Sequence, residues 1–172
     1  MNQIRDRFWG VGPTGMIVTL VVWGLLIYVQ DAIPLPRLKL STGWKWSLTL
    51  VFLADGFSTL IWSLVTLTSS RYDQQLVTAG PYAFIRHPMY AALFLSGTGA
   101  VAFAFESWSV LLGVVPLHLW WMRLVRLEEQ ALIRRWGASY LTYAADTGQF
   151  FPSLTTLKKA FSESRHRDDT DL

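Results

Sequence analysis

The chain has 172 residues, room for one domain, and is 52% hydrophobic and 15% aromatic. Only 16% of it is charged, where a soluble domain carries about 25%, and its nine tryptophans suit a protein that crosses a bilayer interface. These values argue against a disordered chain and a water-soluble enzyme, and the absence of cysteine excludes a disulfide-stapled domain, a thiolate metal site and a cysteine nucleophile. The formal net charge of +3 does not point to nucleic acid, because the basic residues flank apolar runs rather than forming a stripe.

Residues 11–30 carry no charge, and as a helix they reach about 30 Å, the thickness of the hydrocarbon core. The run ends in Tyr28, Val29, Gln30 and Asp31 rather than in a small-residue cleavage site, which predicts a retained helix. Ile33, Pro34, Leu35 and Pro36 read as a proline-punctuated loop. A second run, 46–68, is apolar except for Asp55. Two shorter runs, 89–105 and 107–122, are separated by little more than Glu106 and predict a tight helical hairpin. The fold class expected is therefore all-α integral membrane, with about four transmembrane helices. Residues 127–143 have helical character, with a break allowed at Gly137. One membrane domain over 1–157 and a polar, disordered tail over 158–172 complete the expected organisation.

Basic residues set the expected orientation. Four spans put twelve of the fifteen on one side, among them Arg5, Arg7, Arg71, Arg86 and Arg123, and leave Arg37, Lys39 and Lys45 on the other. Both termini are then cytoplasmic, in a multi-pass protein of the cell inner membrane.

Two polar clusters fall on that cytoplasmic side. In the first, Gly80 and Pro81 make a turn, Pro88 opens the third helix, and His87 and Tyr90 stand three residues apart on one face. An interfacial Arg-His-Tyr girdle explains these residues as readily as a binding site does. In the second, Arg123, Arg126, Glu128, Glu129, Arg134 and Arg135 run out of the fourth helix. Arg126 and Glu129 can pair on one face, while Glu128 and Glu129 point about 100° apart, so only one faces a shared pocket. Taken by itself, this cluster reads better as a solvated, salt-bridged extension than as a binding site. Asp55 and His118 are ionisable residues inside spans, expected to face the bundle interior, with Asp55 bonded to a neighbouring helix. Three scattered histidines supply no metal site, and neither an HExxH motif nor a dinucleotide-type glycine loop is present.

Together the clusters resemble the isoprenylcysteine carboxyl methyltransferase and phospholipid methyltransferase superfamily of membrane enzymes. The first signature lies in 76–82 and in Arg86-His87-Pro88-Met89-Tyr90. The second lies in Arg126-Leu127-Glu128-Glu129, Gly137, Tyr140, Tyr143 and Phe150-Phe151-Pro152, so the resemblance covers 76–152. It implies an enzyme that takes S-adenosylmethionine from the cytosol and receives a lipophilic acceptor laterally from the lipid. It further implies that His87 and Tyr90 contact the cofactor. Glu129, or else Glu128, receives its amino group, and Arg126 stands near the acceptor or the cofactor carboxylate. Gly80, Pro81 and Tyr82 shape the loop over the nucleoside. Gln149 departs from the basic residue that relatives often carry before the final Phe-x-Pro. The expected function is methyl transfer to a lipophilic carboxylate or thiol, with Arg126 and Glu129 as the catalytic pair. A lipid-amine N-methyltransferase and a non-catalytic membrane module are the alternatives.

Overall fold

The computed structural model describes residues 11–33, 35–69, 75–156 and 158. Among the described residues the fold is carried by five helices: α1 (Gly12–Ala32), α2 (Thr42–Ser69), α3 (Pro88–Ala104), α4 (Trp108–Trp136) and α5 (Ala138–Asp146). A single 3₁₀ turn, Gly80–Ala83, precedes α3. By length and composition α1, α2 and α4 can each cross a membrane, whereas α3 is shorter. Its 17 residues reach roughly 25 Å at about 1.5 Å per residue.

Local chemistry sets the boundaries of these helices. Pro13 and Pro88 sit in the first turns of α1 and α3, where a missing N–H costs nothing. Glu106 turns the chain between α3 and α4 with φ at 52°. Ser107 then caps α4 by accepting from the Val110 N–H at 3.1 Å. The fourth helix does not stop where its apolar stretch does; it runs on to Trp136. Gly137, at φ 52°, breaks it and starts α5, so the break expected at Gly137 is there, at the end of a continuous helix. Within α3, residues Ala92–Ser96 form a π-helical turn.

The core sits around α3. α2 lies along it, and α1 packs on α4 and on the π-turn of α3. Two tryptophans lock these contacts, each by donating its indole N–H to a threonine. Trp121 of α4 is fully buried, reaches Thr19 at 3.1 Å and lies where a side chain at Gly15 would otherwise be. Trp23 of α1 reaches Thr98 at 3.0 Å and lies over Gly97. An indole N–H left unpaired in hydrocarbon would cost several kcal/mol, roughly, so both bonds specify register as well as contact. Asp55 accepts from the Ser96 hydroxyl at 2.6 Å, the bond to a neighbouring helix expected of it.

At one end of the bundle, Leu38 donates to the Glu106 carbonyl at 2.9 Å, and Lys45 approaches Glu106 at 3.6 Å. At the other end the segment before α3 meets the segment after α4. The two clusters expected to share a side therefore do. Of the residues in the charge argument, Arg5, Arg7 and Arg71 lie outside the described residues, as do Pro34 and, Lys158 apart, the tail over 158–172.

Candidate active site

Arg86 is the hub of the polar end. Its Nε donates to Glu129 Oε1 at 2.9 Å, and its Nη1 donates to the Ala144 carbonyl at 2.9 Å and to the Thr147 carbonyl. The backbone repeats the connection: the Arg86 N–H donates to Gly148 at 2.8 Å, and the His87 N–H to Gln149 at 3.1 Å. The return segment after α5 is thus stapled beside the start of α3. Gln149 takes part through its carbonyl, which any residue type supplies.

His87 Nε2 meets the same carboxylate oxygen, Glu129 Oε1, at 3.1 Å. An ionised carboxylate only accepts, so the proton of this bond sits on Nε2. His87 is almost fully buried, and the side chains of Arg86 and Glu129 are each 15% exposed. The cluster is consequently a largely internal ion network, and the solvated extension that the local sequence favoured does not describe Glu129.

Tyr90 follows on the same face, its ring 5.7 Å from that of His87, as the three-residue spacing requires. It stacks on Trp121 at 4.9 Å, and its hydroxyl donates to Glu128 Oε2 at 2.9 Å. Glu128 and Glu129 therefore split their duties as their 100° separation demands. Glu129 turns inward to Arg86 and His87, and Glu128 turns towards Tyr90 and the cavities.

Two cavities meet here. One, of about 580 Å³, lies at the polar end against Glu128, Arg134, Arg135, Trp136, Tyr140 and Tyr143. The other, of about 630 Å³, is almost wholly apolar and runs between α1, α2 and α3, from Arg86, His87 and Tyr90 towards Trp23 and Phe52. Leu67, Tyr82, Arg86 and Glu128 border both. Each volume falls in the range of about 300–1,000 Å³ typical of small-molecule sites.

The model of the isoprenylcysteine carboxyl methyltransferase (ICMT) family matches residues 48–134, half of the chain, taking in α3, the junction and both glutamates. The chain belongs to this family. It is similar to the nickel-cobalt-cadmium resistance protein NccN of Alcaligenes xylosoxydans xylosoxydans, 32% identical over 92 residues, 52% of this chain and 42% of that protein. It is similar also to the cobalt-zinc-cadmium resistance protein CzcN of Cupriavidus metallidurans, 31% identical over 112 residues, 63% of this chain and 50% of the relative. The protein-S-isoprenylcysteine O-methyltransferase of Saccharomyces cerevisiae is 28% identical over 92 residues, 54% of this chain and 38% of the yeast enzyme. The chain spans half or less of the length of each of these relatives.

Against this ICMT framework, the expected site residues fall into three groups. Tyr82, His87, Tyr90 and Glu128 line the cavities. Gly80, Pro81 and Glu129 support them from behind. Gly80 holds φ at 58°, and a side chain there would sit 2.5 Å from the Thr66 hydroxyl, so this turn needs glycine. Arg126 stands apart: it is exposed, borders neither cavity, and the partner of Glu129 is Arg86 instead. The i,i+3 spacing permitted the Arg126–Glu129 pair, but the tertiary contact with a residue before α3 displaced it.

Arg86 and Tyr140 stand in the two signatures, but nothing in the sequence assigns either a role in the site. Tyr140 is 2% exposed and lines the polar cavity, and its hydroxyl meets no hydrogen-bond partner among the described residues. Burial, and after it the nearby Glu129 carboxylate, push that hydroxyl well above the ordinary tyrosine range, so it remains a donor at neutral pH. A buried donor without an acceptor is costly by about 1–3 kcal/mol, and one beside a cavity is a natural contact for a ligand. Tyr143, its neighbour, donates to the Tyr82 carbonyl at 2.7 Å and so ties α5 to the turn before α3. Phe150, part of the second signature, is core: it packs edge-on against Phe94 at 5.0 Å and near His118. The ring of His118 lies among Phe94, Phe150 and Phe151, and its buried Nδ1 finds no partner among the described residues.

Proposed function

We propose that this chain is an S-adenosylmethionine-dependent membrane methyltransferase acting on a lipophilic carboxylate or thiol. One observation carries the reading: a cavity that mixes charged with apolar side chains and an almost wholly apolar cavity share Leu67, Tyr82, Arg86 and Glu128 at their junction. Such a pair suits a water-soluble donor on one side and a membrane-dissolved acceptor on the other.

The residues of the polar cavity match the donor group by group. Glu128 faces an ammonium, Arg134 or Arg135 a carboxylate, the rings of Trp136 and Tyr143 an adenine, and the Tyr140 hydroxyl has a bond to give. Bound there, S-adenosylmethionine supplies an electrophilic methyl group on a sulfonium sulfur. The protein's contribution is alignment and exclusion of water. Leu67, Tyr82, Arg86 and Glu128 border both cavities, which is where donor and acceptor would be aligned, and the apolar walls limit water there. A carboxylate acceptor brings no proton to remove, and Arg86 is the cation nearest to it. A thiol acceptor does bring one, for which Glu128 is within the junction.

The membrane arrangement belongs to the same proposal. α3 and the first part of α4 cross as a hairpin beside α1 and α2, giving four spans, and both termini lie in the cytoplasm with the polar cavity. Acceptor profiling tests the chemistry: tritiated methyl groups should pass to prenylated or alkylated thioether carboxylates or to lipophilic thiols. Transfer confined to lipid amines would replace this reading by the N-methyltransferase alternative.

A further inference from the structure

Arg126 belongs to the second signature, yet it borders neither cavity. Helix geometry shows where it points instead. At about 100° per residue, Leu112, Val115, Leu119, Arg123, Arg126 and Gln130 fall on one stripe of α4, within roughly 80° of arc. All six are exposed, and the buried Leu117, Trp121, Val125 and Leu132 occupy the opposite side. The first half of the stripe is the apolar face that α4 turns to lipid when it crosses a membrane. The second half continues that face and is basic. Counted from Trp108, Arg123 lies roughly 22 Å and Arg126 roughly 27 Å along the axis, inside the roughly 30 Å of a hydrocarbon core. Leu127 beside them is 62% exposed, so this level of α4 is not a purely aqueous surface. Neither guanidinium has an ion-pair or hydrogen-bond partner among the described residues, because Glu128 and Glu129 turn inward to Tyr90, Arg86 and His87.

We infer that Arg123 and Arg126 form a binding site for the headgroup phosphate of an acidic phospholipid, with its acyl chains lying along Leu119, Val115 and Leu112. Two guanidinium groups one turn apart stay charged at any ordinary pH and repel each other unless an anion lies between them. Their long side chains reach along the helix to the headgroup layer, where phosphate oxygens accept from both forks. Gln130, one turn further on, offers an amide to a headgroup hydroxyl. A soluble anion meets only the basic half of the stripe, whereas a phospholipid meets both halves. A zwitterionic lipid brings its own cation and answers the pair only in part. The inference rests on the passage of α4 across the membrane and not on the methyl transfer.

The full chain in detergent is titrated with dioleoyl phosphatidylglycerol or with dioleoyl phosphatidylcholine, and the bound lipids are counted by native mass spectrometry. The first phosphatidylglycerol should bind more tightly than the first phosphatidylcholine. Arg123→Gln and Arg126→Gln should each weaken it about fivefold, and the double variant about 25-fold, the worth of one and of two such charges near an acidic lipid surface. The two single variants are independent exposed substitutions, so the claim does not depend on one of them folding. Lys39→Gln removes an exposed charge at the opposite end of the bundle and should leave the affinity unchanged. Glycerol 3-phosphate, which carries the phosphate without the chains, should not displace the lipid at equal concentration. Equal affinity for the two lipids, full affinity in the folded double variant, an equal loss in Lys39→Gln, or displacement by glycerol 3-phosphate would each overturn the site. No methyl donor or acceptor takes part, so the methyltransferase reading stands or falls separately.

Discussion

Arg86 Nε donates to Glu129 Oε1 at 2.9 Å across 43 positions of sequence. This one bond joins the start of α3 to the end of α4, and the other donors of the same guanidinium tie in the return segment at Ala144 and Thr147. The polar cavity keeps its shape because these three pieces are held by one planar fork.

Arg86→Lys should therefore behave almost as badly as Arg86→Ala. An ammonium is a compact donor that cannot span a carboxylate and two carbonyls in fixed directions. Both variants should lose cofactor binding and become protease-sensitive after α5, which limited proteolysis of the purified protein reads directly. Protection in Arg86→Lys equal to the parent would show that charge alone suffices.

The two adjacent glutamates should separate by phenotype. Glu129→Ala leaves Arg86 and His87 facing an empty position, and because this pair is part-buried the loss should approach, without exceeding, the roughly 3–5 kcal/mol of a fully buried pair. It should lower the melting temperature and abolish activity together. Glu128→Gln keeps its size and can still accept from Tyr90. That variant should melt like the parent and yet bind the cofactor poorly. A comparison of thermal melts with binding isotherms distinguishes the two.

Tyr140→Phe should leave stability unchanged or raise it slightly, since the hydroxyl meets no acceptor whose bond would be lost. Cofactor affinity should fall by the worth of one hydrogen bond, about 0.5–1.5 kcal/mol. Equal affinity in Tyr140→Phe and the parent would remove the hydroxyl from the ligand's contacts.

Asp55→Ala should matter little to chemistry. Its bond to Ser96 joins α2 to α3 within the span, and interhelical bonds in membranes average about 0.6 kcal/mol. A small loss of melting temperature with unaltered cofactor binding is the expected result. Abolished binding would give Asp55 a role in the site.

Much of this was legible in the sequence, for identifiable reasons. Apolar runs gave α1 and α2, Pro88 gave the start of α3, and Gly137 gave the break before α5, because hydropathy, proline and glycine act locally. His87 and Tyr90 were readable as a pair because helix periodicity fixes i,i+3 neighbours. Arg86 with Glu129 was not, because local spacing offered Arg126 as a nearer partner and nothing in the chain marks a contact 43 residues away. The course of the apolar cavity was equally hidden. It depends on Trp23 and Phe52 settling over Gly97 and Gly99, and this packing emerges only when three helices are brought together.

The most direct measurement is binding of radiolabelled S-adenosylmethionine to the protein in nanodiscs, with Glu128→Gln and Tyr140→Phe alongside. Saturable binding, weakened in both variants while their melting temperatures hold, is the predicted result. A folded, monodisperse protein in nanodiscs that shows no saturable binding would contradict the assignment of the polar cavity to the methyl donor.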